Sequence, residues 1–441
     1  MSAQKVKTKT KTFRLYMVTW NVGDRNAPTD FTELLKLDQE PLPNIYAVGL
    51  QEMTGGDDHV YNDWTKHLTE ILSDRGYFRL KSVRMQAILL VVFVKREDIL
   101  SFTHIESEIS RAGMGGWWVG TYIESEISRA DMGGWWGNKG AVSVRFDVNG
   151  VNMIIVNAHL AAHMDNVRER IEDFHTILRT QKFRDKDVDH ILDHDYIFFM
   201  GDLNFRLQKV TSTYVERAIR YGEYKALMEY DQLLKCMEED LIFVDFLEGQ
   251  ITFPPTYKFD PGTDKYDTSA KKRIPAYCDR ILWHVHEDSF ENIELDVKQL
   301  SYESHMSYKL SDHKPVSSLF EIQIYSSPPI PLPVRFLHIT SSTKWTSNQE
   351  EDVHYKFDIS PNLEYLPDKW DWIGLYKENF RSIRDQIAYV YIIQGAKMNK
   401  DGCSFVTFHN LSLDPGKYRL LYISEKKDTL LGISEVFQVV K

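Results

Sequence analysis

Five apolar segments of this chain run directly into polar side chains, and this pattern constrains the fold more than any other feature. The sharpest is FMGDLNFR at 199–206, where the apolar run Tyr196–Met200 meets Asp202 and Asn204. Such a run is typical of a β-strand whose end presents side chains into a cleft. Asp and Asn are also ordinary turn residues, so this segment alone fits a plain turn about as well.

The other four segments are MVTWN with Asn21, VGLQE with Glu52, IIVNAHL with Asn157 and His159, and SDHKPV with Asp312 and His313. Each one alone fits a structural role, because a Glu after a strand or a lone His is often a hydrogen-bonded core residue. Together they supply carboxylates, imidazoles and amides in a combination that chance rarely produces. We therefore expect them to meet in one site, where Asp202 is suited to take a proton from water and Asn204 to hold an oxygen.

The residue types also predict which metal such a site would hold. Hard oxygen ligands, few enough to leave waters in place, suit Mg²⁺, which binds through one or two carboxylates and substrate phosphate oxygens. Zinc is disfavoured because Cys236, Cys278 and Cys403 are scattered without a paired spacing. The sequence therefore predicts a Mg²⁺ cofactor.

Composition limits the partners and the location. The net charge is −11, from 53 Lys and Arg against 64 Asp and Glu, so contact with an anionic surface requires a local basic patch. Nucleic acid is not an expected partner. Scattered cysteines and the lack of a signal-peptide pattern favour the cytoplasm. The longest apolar stretch, Ala87–Val94, is too short to span a bilayer, so we expect no transmembrane segment.

The 441 residues favour two domains. In the first part, apolar spacings of three and four predict amphipathic helices around Ile171–Leu178 and over Tyr214–Met237. Strands interleaved with helices indicate an α/β layered core. The predicted strands are Leu15–Val22, Ile45–Leu50, Ile88–Val94, Ala141–Val148, Val151–Ala158 and Tyr196–Met200.

A Pro-rich segment, SSPPIPLP at 326–333, predicts a boundary, and the part after it is strand-rich. Repeated short strands without helical patterns indicate a β-sandwich, with Trp370, Trp372 and Tyr376 as core and edge packing. The predicted strands are Val353–Ile359, Trp372–Tyr376, Ile387–Ile393, Ser404–Phe408, Tyr418–Ile423 and Glu435–Val440.

Residues 105–118 recur almost unchanged as residues 123–136. The second copy leads directly into GNKGAV, so we interpret residues 105–122 as an inserted duplication or a gene-model error. Its paired tryptophans fit an exposed loop that enters lipid headgroups, and equally a buried strand end.

The motifs TWN, LQE, NAHL, GDLNFR and SDHKPV, in this order, resemble the endonuclease/exonuclease/phosphatase superfamily. The longer strings WWGNKGAV, FPPTYKFD and KKRIPAYCDRILW resemble its inositol polyphosphate 5-phosphatase branch, and WDWIGLYK is similar to the SKICH domain. The resemblance implies an α/β four-layer sandwich of two mixed sheets flanked by helices over 13–323. A linker at 324–333 and a smaller all-β sandwich at 334–441 would follow.

The resemblance also implies roles for the strand-end residues on the metal and water side. Glu52 would be the principal Mg²⁺ ligand, with Asn21 beside it. Asp202 would orient and deprotonate the attacking water, and Asn204 would hold that water or a phosphoryl oxygen.

On the phosphate side, the resemblance places His159 and His313 as charged imidazoles on the phosphoryl group. Asp279 would pair with His313 and keep it cationic. Asp312 would be a carboxylate on or behind the metal. For Asp279 and Asp312, a salt-bridged strand end stays an open alternative.

A basic segment is expected to select the substrate. Tyr257, Lys258, Lys271 and Arg273 place three cations and a phenol on two loops, and the family motif assigns the first three to the 4-phosphate beside the scissile 5-phosphate. Solvated surface is the alternative for such a charge run. The chain departs from the usual family pattern at Tyr277, where Trp is common.

The predicted function is Mg²⁺-dependent hydrolysis of the 5-phosphate of phosphatidylinositol 4,5-bisphosphate and 3,4,5-trisphosphate, with soluble inositol polyphosphates as further substrates. The implied partners are phosphoinositide head groups on a membrane surface and a protein partner for the C-terminal domain. The implied location is the cytoplasm, with peripheral recruitment to the plasma membrane or endomembranes. The alternatives are a nuclease of the same superfamily and a non-catalytic phosphoinositide-binding adaptor.

Overall fold

The structure is a computed structural model that describes most of the chain. The described residues are 10–53, 59–112, 139–185, 187–287, 289–290, 294–325, 334–338, 344–357, 368–395, 397–398, 404–409, 411–425 and 429–441. Most of the repeated segment and the Pro-rich boundary lie outside them. The predictions about the duplication and about the 324–333 linker therefore stay predictions.

The described strands of the first 325 residues form two six-stranded sheets. The first sheet has the order β11-β12-β1-β2-β4-β3 and the second the order β5-β6-β7-β8-β10-β9. In chain order the strands are β1 (Thr10–Asn21), β2 (Ile45–Gln51), β3 (Tyr77–Met85), β4 (Ile88–Lys95), β5 (Phe102–Arg111), β6 (Gly140–Val148), β7 (Val151–His159), β8 (Tyr196–Asp202), β9 (Leu247–Glu248), β10 (Asp279–Val285), β11 (Val297–Ser304) and β12 (Val316–Tyr325).

The two sheets pack face to face around one apolar core, to which Met17 and Val92 contribute from the first sheet and Ile155 and Phe198 from the second. Helices cover both outer faces. The fully buried β2, β4 and β8 have apolar runs, as expected of strands covered on both sides. The predicted four-layer α/β sandwich is confirmed.

The described helices are α1 (His59–Ser73), α2 (Val167–Thr180), α3 (Ser212–Tyr221), α4 (Tyr224–Leu227), α5 (Gln232–Glu238) and α6 (Ile392–Gly395), with 3₁₀ turns at Arg96–Ser101, Ile191–Asp193 and Met228–Tyr230. α1 packs Trp64 and Leu68 on the first sheet, and α2 packs Phe174 and Ile177 on the second. The helix predicted around Ile171–Leu178 is confirmed as α2. None of the helices in the described ranges is long and apolar enough to cross a membrane.

The prediction of continuous helix over Tyr214–Met237 is wrong. Gly222 ends α3 in the left-handed conformation, with φ of 70°, and its N–H caps the helix. The chain then makes a short helical turn, and Asp231 begins α5 by accepting a hydrogen bond from the Leu234 N–H at 3.1 Å. The apolar spacing predicts the helical segments, but it gives no information on the cap residues that divide them.

The C-terminal part forms a separate pair of sheets among the described residues, and the predicted β-sandwich is confirmed. One has the order β13-β15-β19-β18 and the other β14-β22-β20-β16-β17, with β21 paired to β20. Trp345, Tyr355, Leu420 and Tyr422 lie in the core between them. The strands are β13 (Val334–His338), β14 (Lys344–Thr346), β15 (Glu351–Phe357), β16 (Trp372–Lys377), β17 (Ala388–Tyr391), β18 (Lys397–Met398), β19 (Ser404–Phe408), β20 (Gly416–Ser424), β21 (Thr429–Ile433) and β22 (Phe437–Val440).

The predicted strand at Ile387–Ile393 is shorter than expected, because the chain turns into α6 at Ile392. Of the aromatic residues predicted to pack, Tyr376 is fully buried, whereas Trp370 is 49% exposed and edges onto Tyr391 at 5.9 Å.

Candidate active site

Strand register brings the predicted polar strand ends to one edge of the two packed sheets. In the second sheet, His159 lies beside Asp202 on parallel strands, and Asp202 lies opposite Asp279 on antiparallel strands. In the first sheet, Asn21 pairs with Gln51, which precedes Glu52. The turn that carries His313 leads into β12, which pairs with β1.

Asp202 is the hub of the site. Asn21 Nδ2 donates to Asp202 Oδ2 at 3.0 Å, His159 Nε2 lies 3.2 Å from the same oxygen and His313 Nε2 lies 3.8 Å from it. Glu52 Oε1 is 3.9 Å from His159 Nε2. Five predicted residues, far apart in sequence, therefore meet around Asp202.

The charge of this hub is fixed by its neighbours. Burial alone would raise the pKa of Asp202, but the charge of His313 and the contact with His159 hold that pKa well below its usual range. Asp202 is therefore a carboxylate at neutral pH.

His313 is held as a cation by a buried carboxylate. Its Nδ1 lies 3.0 Å from Asp279 Oδ2, which also accepts a hydrogen bond from Thr256 Oγ1 at 2.7 Å. Burial would lower the pKa of His313, but Asp279 and Asp202 raise it to about 10. Burial raises the pKa of Asp279, and the His313 charge opposes that rise. The pair predicted from the sequence is in contact, and Nε2 of His313 faces the hub.

Lys139 is a site residue that sequence reasoning missed. It lies in WWGNKGAV, one residue before β6, and its Nζ contacts His159 Nε2. Burial lowers the pKa of Lys139, while Asp202 and Glu52 oppose the change. The motif string was the available signal, but its lysine had been given no role.

Lys139 also changes the predicted state of His159. Burial lowers the pKa of His159, and the adjacent Lys139 charge lowers it further, against the opposing effect of Asp202. Both effects disfavour the charged imidazole expected from the sequence, because a second cation beside His159 opposes its protonation. The protonation state of His159 stays a prediction.

The GDLNFR turn is tightly fixed. Gly201 has φ of 147°, and a Cβ there would lie 1.9 Å from the Ala158 carbonyl oxygen, so this position requires glycine. Asn204 is left-handed, with φ of 59°, and its Nδ2 donates to the Leu160 carbonyl at 3.1 Å. Arg206, also missed from the sequence, donates through Nη2 to Asn204 Oδ1. The Asn204 amide is thus oriented on both sides.

Oxygen ligands for a cation are present beside the hub. The Glu52 side chain is 42% exposed and sits at a left-handed residue, with φ of 58°, an unusual conformation for Glu that fits a functional constraint. Asn21 Oδ1 accepts only the Gly23 N–H, at 3.1 Å, within the described residues. A partly exposed carboxylate with a neighbouring amide oxygen fits a hard divalent cation.

The other carboxylates are less suited to a cation. Asp312 Oδ2 accepts from Lys258 Nζ at 2.5 Å, so its predicted metal role competes with a salt bridge. Burial would raise the pKa of Asp312, but His313 and Lys258 lower it. Asp202, Asp279 and His313 also lie close enough to share an ion. We favour a hydrogen-bonded relay there, because cationic His313 repels a metal.

Of the predicted substrate residues, Tyr257 contacts His313 directly. The Tyr257 ring is 4.4 Å from the His313 ring, and the Tyr257 hydroxyl accepts a hydrogen bond from Arg273 Nη1. Lys258 pairs with Asp312 as described above. Lys271 is exposed on the same loop, with its backbone N–H on Ser269 Oγ at 3.3 Å. The guanidinium of Arg206 stacks 4.2 Å from the Tyr257 ring and joins this loop to the GDLNFR turn.

Beneath the site, a buried polar clamp ties the sheets together. Gln51 Nε2 donates to Asn157 Oδ1 at 2.7 Å, and Asn157 Nδ2 donates to the Leu89 carbonyl at 2.8 Å. Asn157, one of the strand-end residues noted in the sequence, is thus a structural group that fixes how the two strand ends meet.

Comparison with known proteins shows the family of this chain. A family model described as endonuclease/exonuclease/phosphatase family 2 matches residues 18–319, and the SKICH domain model matches residues 337–439. A solved structure of the inositol polyphosphate 5-phosphatase domain of SPsynaptojanin, in complex with inositol (1,4)-bisphosphate and calcium ion, is similar at 32% identity and a TM-score of 0.61. The similarity covers 72% of this chain and 86% of that one.

Two curated relatives are similar over nearly the whole chain. Human phosphatidylinositol 4,5-bisphosphate 5-phosphatase A is 36% identical over 97% of this chain, which spans 42% of that protein. Mouse inositol polyphosphate 5-phosphatase K is 34% identical over 96% of this chain and 89% of its own length.

Proposed function

This chain belongs to the inositol polyphosphate 5-phosphatases of the endonuclease/exonuclease/phosphatase superfamily, and from that premise we propose that it removes the 5-phosphate of phosphoinositides that also carry a 4-phosphate. The substrates in this proposal are phosphatidylinositol 4,5-bisphosphate and 3,4,5-trisphosphate, with soluble inositol polyphosphates as further substrates. The observation that carries it is the cationic His313, held between Asp279 and Asp202 beside the basic Tyr257–Lys258 segment.

The proposed chemistry is attack of water on the 5-phosphate. Phosphoryl transfer depends mainly on positioning and on charge stabilisation, because its transition state is loose and needs little activation of the nucleophile. Asp202, with its low pKa, suits a role in orienting the water more than in removing its proton early. Asn204, whose amide is fixed by Leu160 and Arg206, is placed to hold the same water or a phosphoryl oxygen.

Positive charge in the proposed site comes from two sides. His313 would stabilise the equatorial phosphoryl oxygens from the Asp279 side, and Lys139 would do so from the His159 side. Neutral His159 would then donate or accept a hydrogen bond. A divalent cation, proposed as Mg²⁺ at Glu52 with Asn21 beside it, would supply further charge neutralisation when bound.

Selection for the 4-phosphate follows from the neighbouring cations. Lys258, Lys271 and Arg273 lie on the loops that contact the His313 ring through Tyr257. A ring without a 4-phosphate would forgo its contacts with these cations, and a site built for a polar group discriminates against substrates that lack it.

The direct test measures phosphate release from soluble inositol 1,4,5-trisphosphate and from inositol 1,5-bisphosphate, with and without Mg²⁺. The proposal predicts Mg²⁺-dependent release from the first and at least about tenfold lower kcat/KM for the second. Equal turnover of both would refute the role given to the basic loops. Nicking of plasmid DNA without phosphate release would favour the nuclease, and lipid binding without turnover the adaptor.

The proposal extends to the setting of the enzyme. A lipid substrate requires contact with a membrane surface, so we propose peripheral recruitment from the cytoplasm to the plasma membrane or endomembranes, with a protein partner for the 334–441 domain. Flotation of the full chain with vesicles that contain phosphatidylinositol 4,5-bisphosphate tests the first part. Failure to float above the level seen with phosphatidylcholine vesicles would contradict it.

A further inference from the structure

The two parts of the chain are packed against each other through a continuous interface. Phe380, from the turn after β16, is 4% exposed, and its ring lies 5.4 Å from that of Phe78 in β3. The Arg79 N–H donates to the Arg381 carbonyl at 2.9 Å, which adds a main-chain link. Leu421, Ile423 and Leu430 join the same apolar core as Ile99, Phe102 and Ile105.

Beside this apolar contact the interface opens into a cavity of about 790 Å³. One wall is the 3₁₀ turn Arg96–Ser101, and the other is formed by Lys377–Phe380 and Pro415–Arg419. We call this space the interdomain cleft. Its volume lies within the range of small-molecule sites.

The interdomain cleft carries an excess of positive charge. Four cations line it, Arg96, Lys377, Lys417 and Arg419, against two carboxylates, Glu97 and Glu378. Lys417 Nζ lies 3.7 Å from Glu378 Oε2 and is partly compensated. This excess lies in a chain whose net charge is −11, so it opposes the overall balance.

Within the described part of the chain, the two arginines of the cleft form no salt bridge with a carboxylate. Arg96 Nη2 reaches the Tyr77 carbonyl at 3.4 Å, and Arg419 Nη1 donates to the Ser434 carbonyl at 3.1 Å. Arg96 Nε is buried and has no hydrogen-bond partner among the described residues.

Arg96 and Arg419 come from different domains and repel each other. Burial lowers the pKa of Arg96, and the charge of Arg419 lowers it further. An anion bound in the cleft that both arginines line would offset this repulsion. Guanidinium groups match the oxygens of phosphate in a two-point geometry, which favours phosphate over a spherical anion.

We propose that the interdomain cleft is a second site, which binds a small anion carrying phosphate groups and thereby connects the two domains. The chemistry is shared by free inositol polyphosphates, inorganic phosphate and phosphoinositide head groups. The site is separate from the hollow around Asp202 and does not depend on the phosphatase proposal.

The test is calorimetric titration of the full chain with inositol hexakisphosphate. Three double variants are compared with the unsubstituted chain: Arg96→Gln with Arg419→Gln in the cleft, Lys258→Gln with Arg273→Gln in the active site, and the exposed control Lys225→Gln with Lys298→Gln. All three remove two positive charges. We expect two binding sites in the unsubstituted chain and in the control, and one in each of the other variants.

The cleft variant should lose at least about tenfold in affinity at the site that the active-site variant keeps. Two sites in the cleft variant, or equal loss in the control, would overturn the proposal. Because the experiment measures binding, it tests the cleft proposal independently of catalysis. If the phosphatase proposal fails, the cleft site is still measured in the active-site variant.

Two further arms identify the source and guard against misfolding. Displacement of inositol hexakisphosphate by millimolar inorganic phosphate supports a free anion as the ligand. Flotation with vesicles containing phosphatidylinositol 4,5-bisphosphate that depends on the cleft arginines supports a lipid head group. If inositol hexakisphosphate, inorganic phosphate and the vesicles all fail to bind, the proposed site is overturned. Without ligand, the cleft variant should melt at the same or a higher temperature, because a repulsion is removed. A lower melting temperature would show that the arginines hold the interface themselves, which contradicts an anion site.

Discussion

The His313–Asp279 pair offers the sharpest prediction, because its effect can be worked out from the structure. The pKa of His313 is raised from 6.5 to about 10. A rise in pKa of roughly 3.5 means that the folded protein stabilises the protonated form of His313 over its neutral form by roughly 5 kcal/mol. The sign follows from linkage: this stabilisation is fully present below pH 6.5 and is lost as the pH rises through about 10.

Replacing Asp279→Asn removes the largest favourable influence on His313 and leaves its burial, which lowers the pKa. The His313 pKa should then fall, although Asp202 and Asp312 still oppose the effect of burial. A fall to the ordinary value of 6.5 would reduce the fraction of cationic His313 at pH 7.5 from nearly all to about a tenth. We expect kcat/KM at pH 7.5 to fall at least about tenfold and to recover as the pH is lowered toward 6.

The assay is the pH profile of kcat/KM for soluble inositol 1,4,5-trisphosphate. The unsubstituted chain keeps His313 cationic to near pH 10, so the variant should lose activity on the alkaline side at a lower pH than the unsubstituted chain does. Thr256→Val, which removes the hydroxyl bonded to Asp279 and keeps its charge, is the matched control and should move the alkaline limb much less. An unchanged alkaline limb in Asp279→Asn would refute the reasoning, even if overall turnover fell.

Three other predictions follow from separate parts of the molecule. Glu52→Gln should raise the Mg²⁺ concentration for half-maximal turnover by about ten- to a hundredfold, since it removes the partly exposed carboxylate. Glu33→Gln is the control. If a Mg²⁺ titration shows no shift for Glu52→Gln, Glu52 is not a Mg²⁺ ligand. Lys258→Gln with Arg273→Gln should lower kcat/KM for inositol 1,4,5-trisphosphate at least about tenfold and leave inositol 1,5-bisphosphate unaffected; equal losses would count against a 4-phosphate site. Phe380→Ala should lower the free energy of unfolding by about 3–5 kcal/mol in urea titration, because Phe380 fills the contact with Phe78, whereas the exposed Tyr389→Ala should cost much less; similar costs would argue against a packed interface.

The strands that could be predicted from the sequence are those that are buried on both faces along nearly their whole length. β2, β4 and β8 are buried along their whole length and therefore read as continuous apolar runs. β5 and β11 alternate irregularly between buried and exposed residues, and nothing in their composition separates them from loops. Their place is decided by the neighbours with which they pair, which is tertiary information.

The site was predictable to the extent that each residue stands at the end of an apolar strand. Asp202, His159 and Asn21 carry that signal themselves. Lys139 does not, because its role arises from β6 and β7 pairing Gly140 with His159. The lowered pKa of His159 arises from burial and from this same contact, so the motif alone could not give it.

Substrate selection shows the same limit. The basic residues of the 257–273 segment were visible in the sequence, but Lys258 is shared with Asp312 and Tyr257 is clamped between Arg206 and Arg273. These contacts join residues up to 54 positions apart. The interdomain cleft could be predicted even less from the sequence, because its arginines come from domains that a predicted linker separates.

Side chains distant in sequence converge on Asp202 in the proposed hydrolysis of a phosphate ester, and the Asp202→Asn variant removes the group at which they meet. This change keeps the shape of the side chain and removes the charge on which Asn21, His159 and His313 converge. We predict that release of phosphate from inositol 1,4,5-trisphosphate falls by about a thousandfold or more while the melting temperature stays within a few degrees. Retention of more than about a tenth of the turnover by a folded variant would contradict the account.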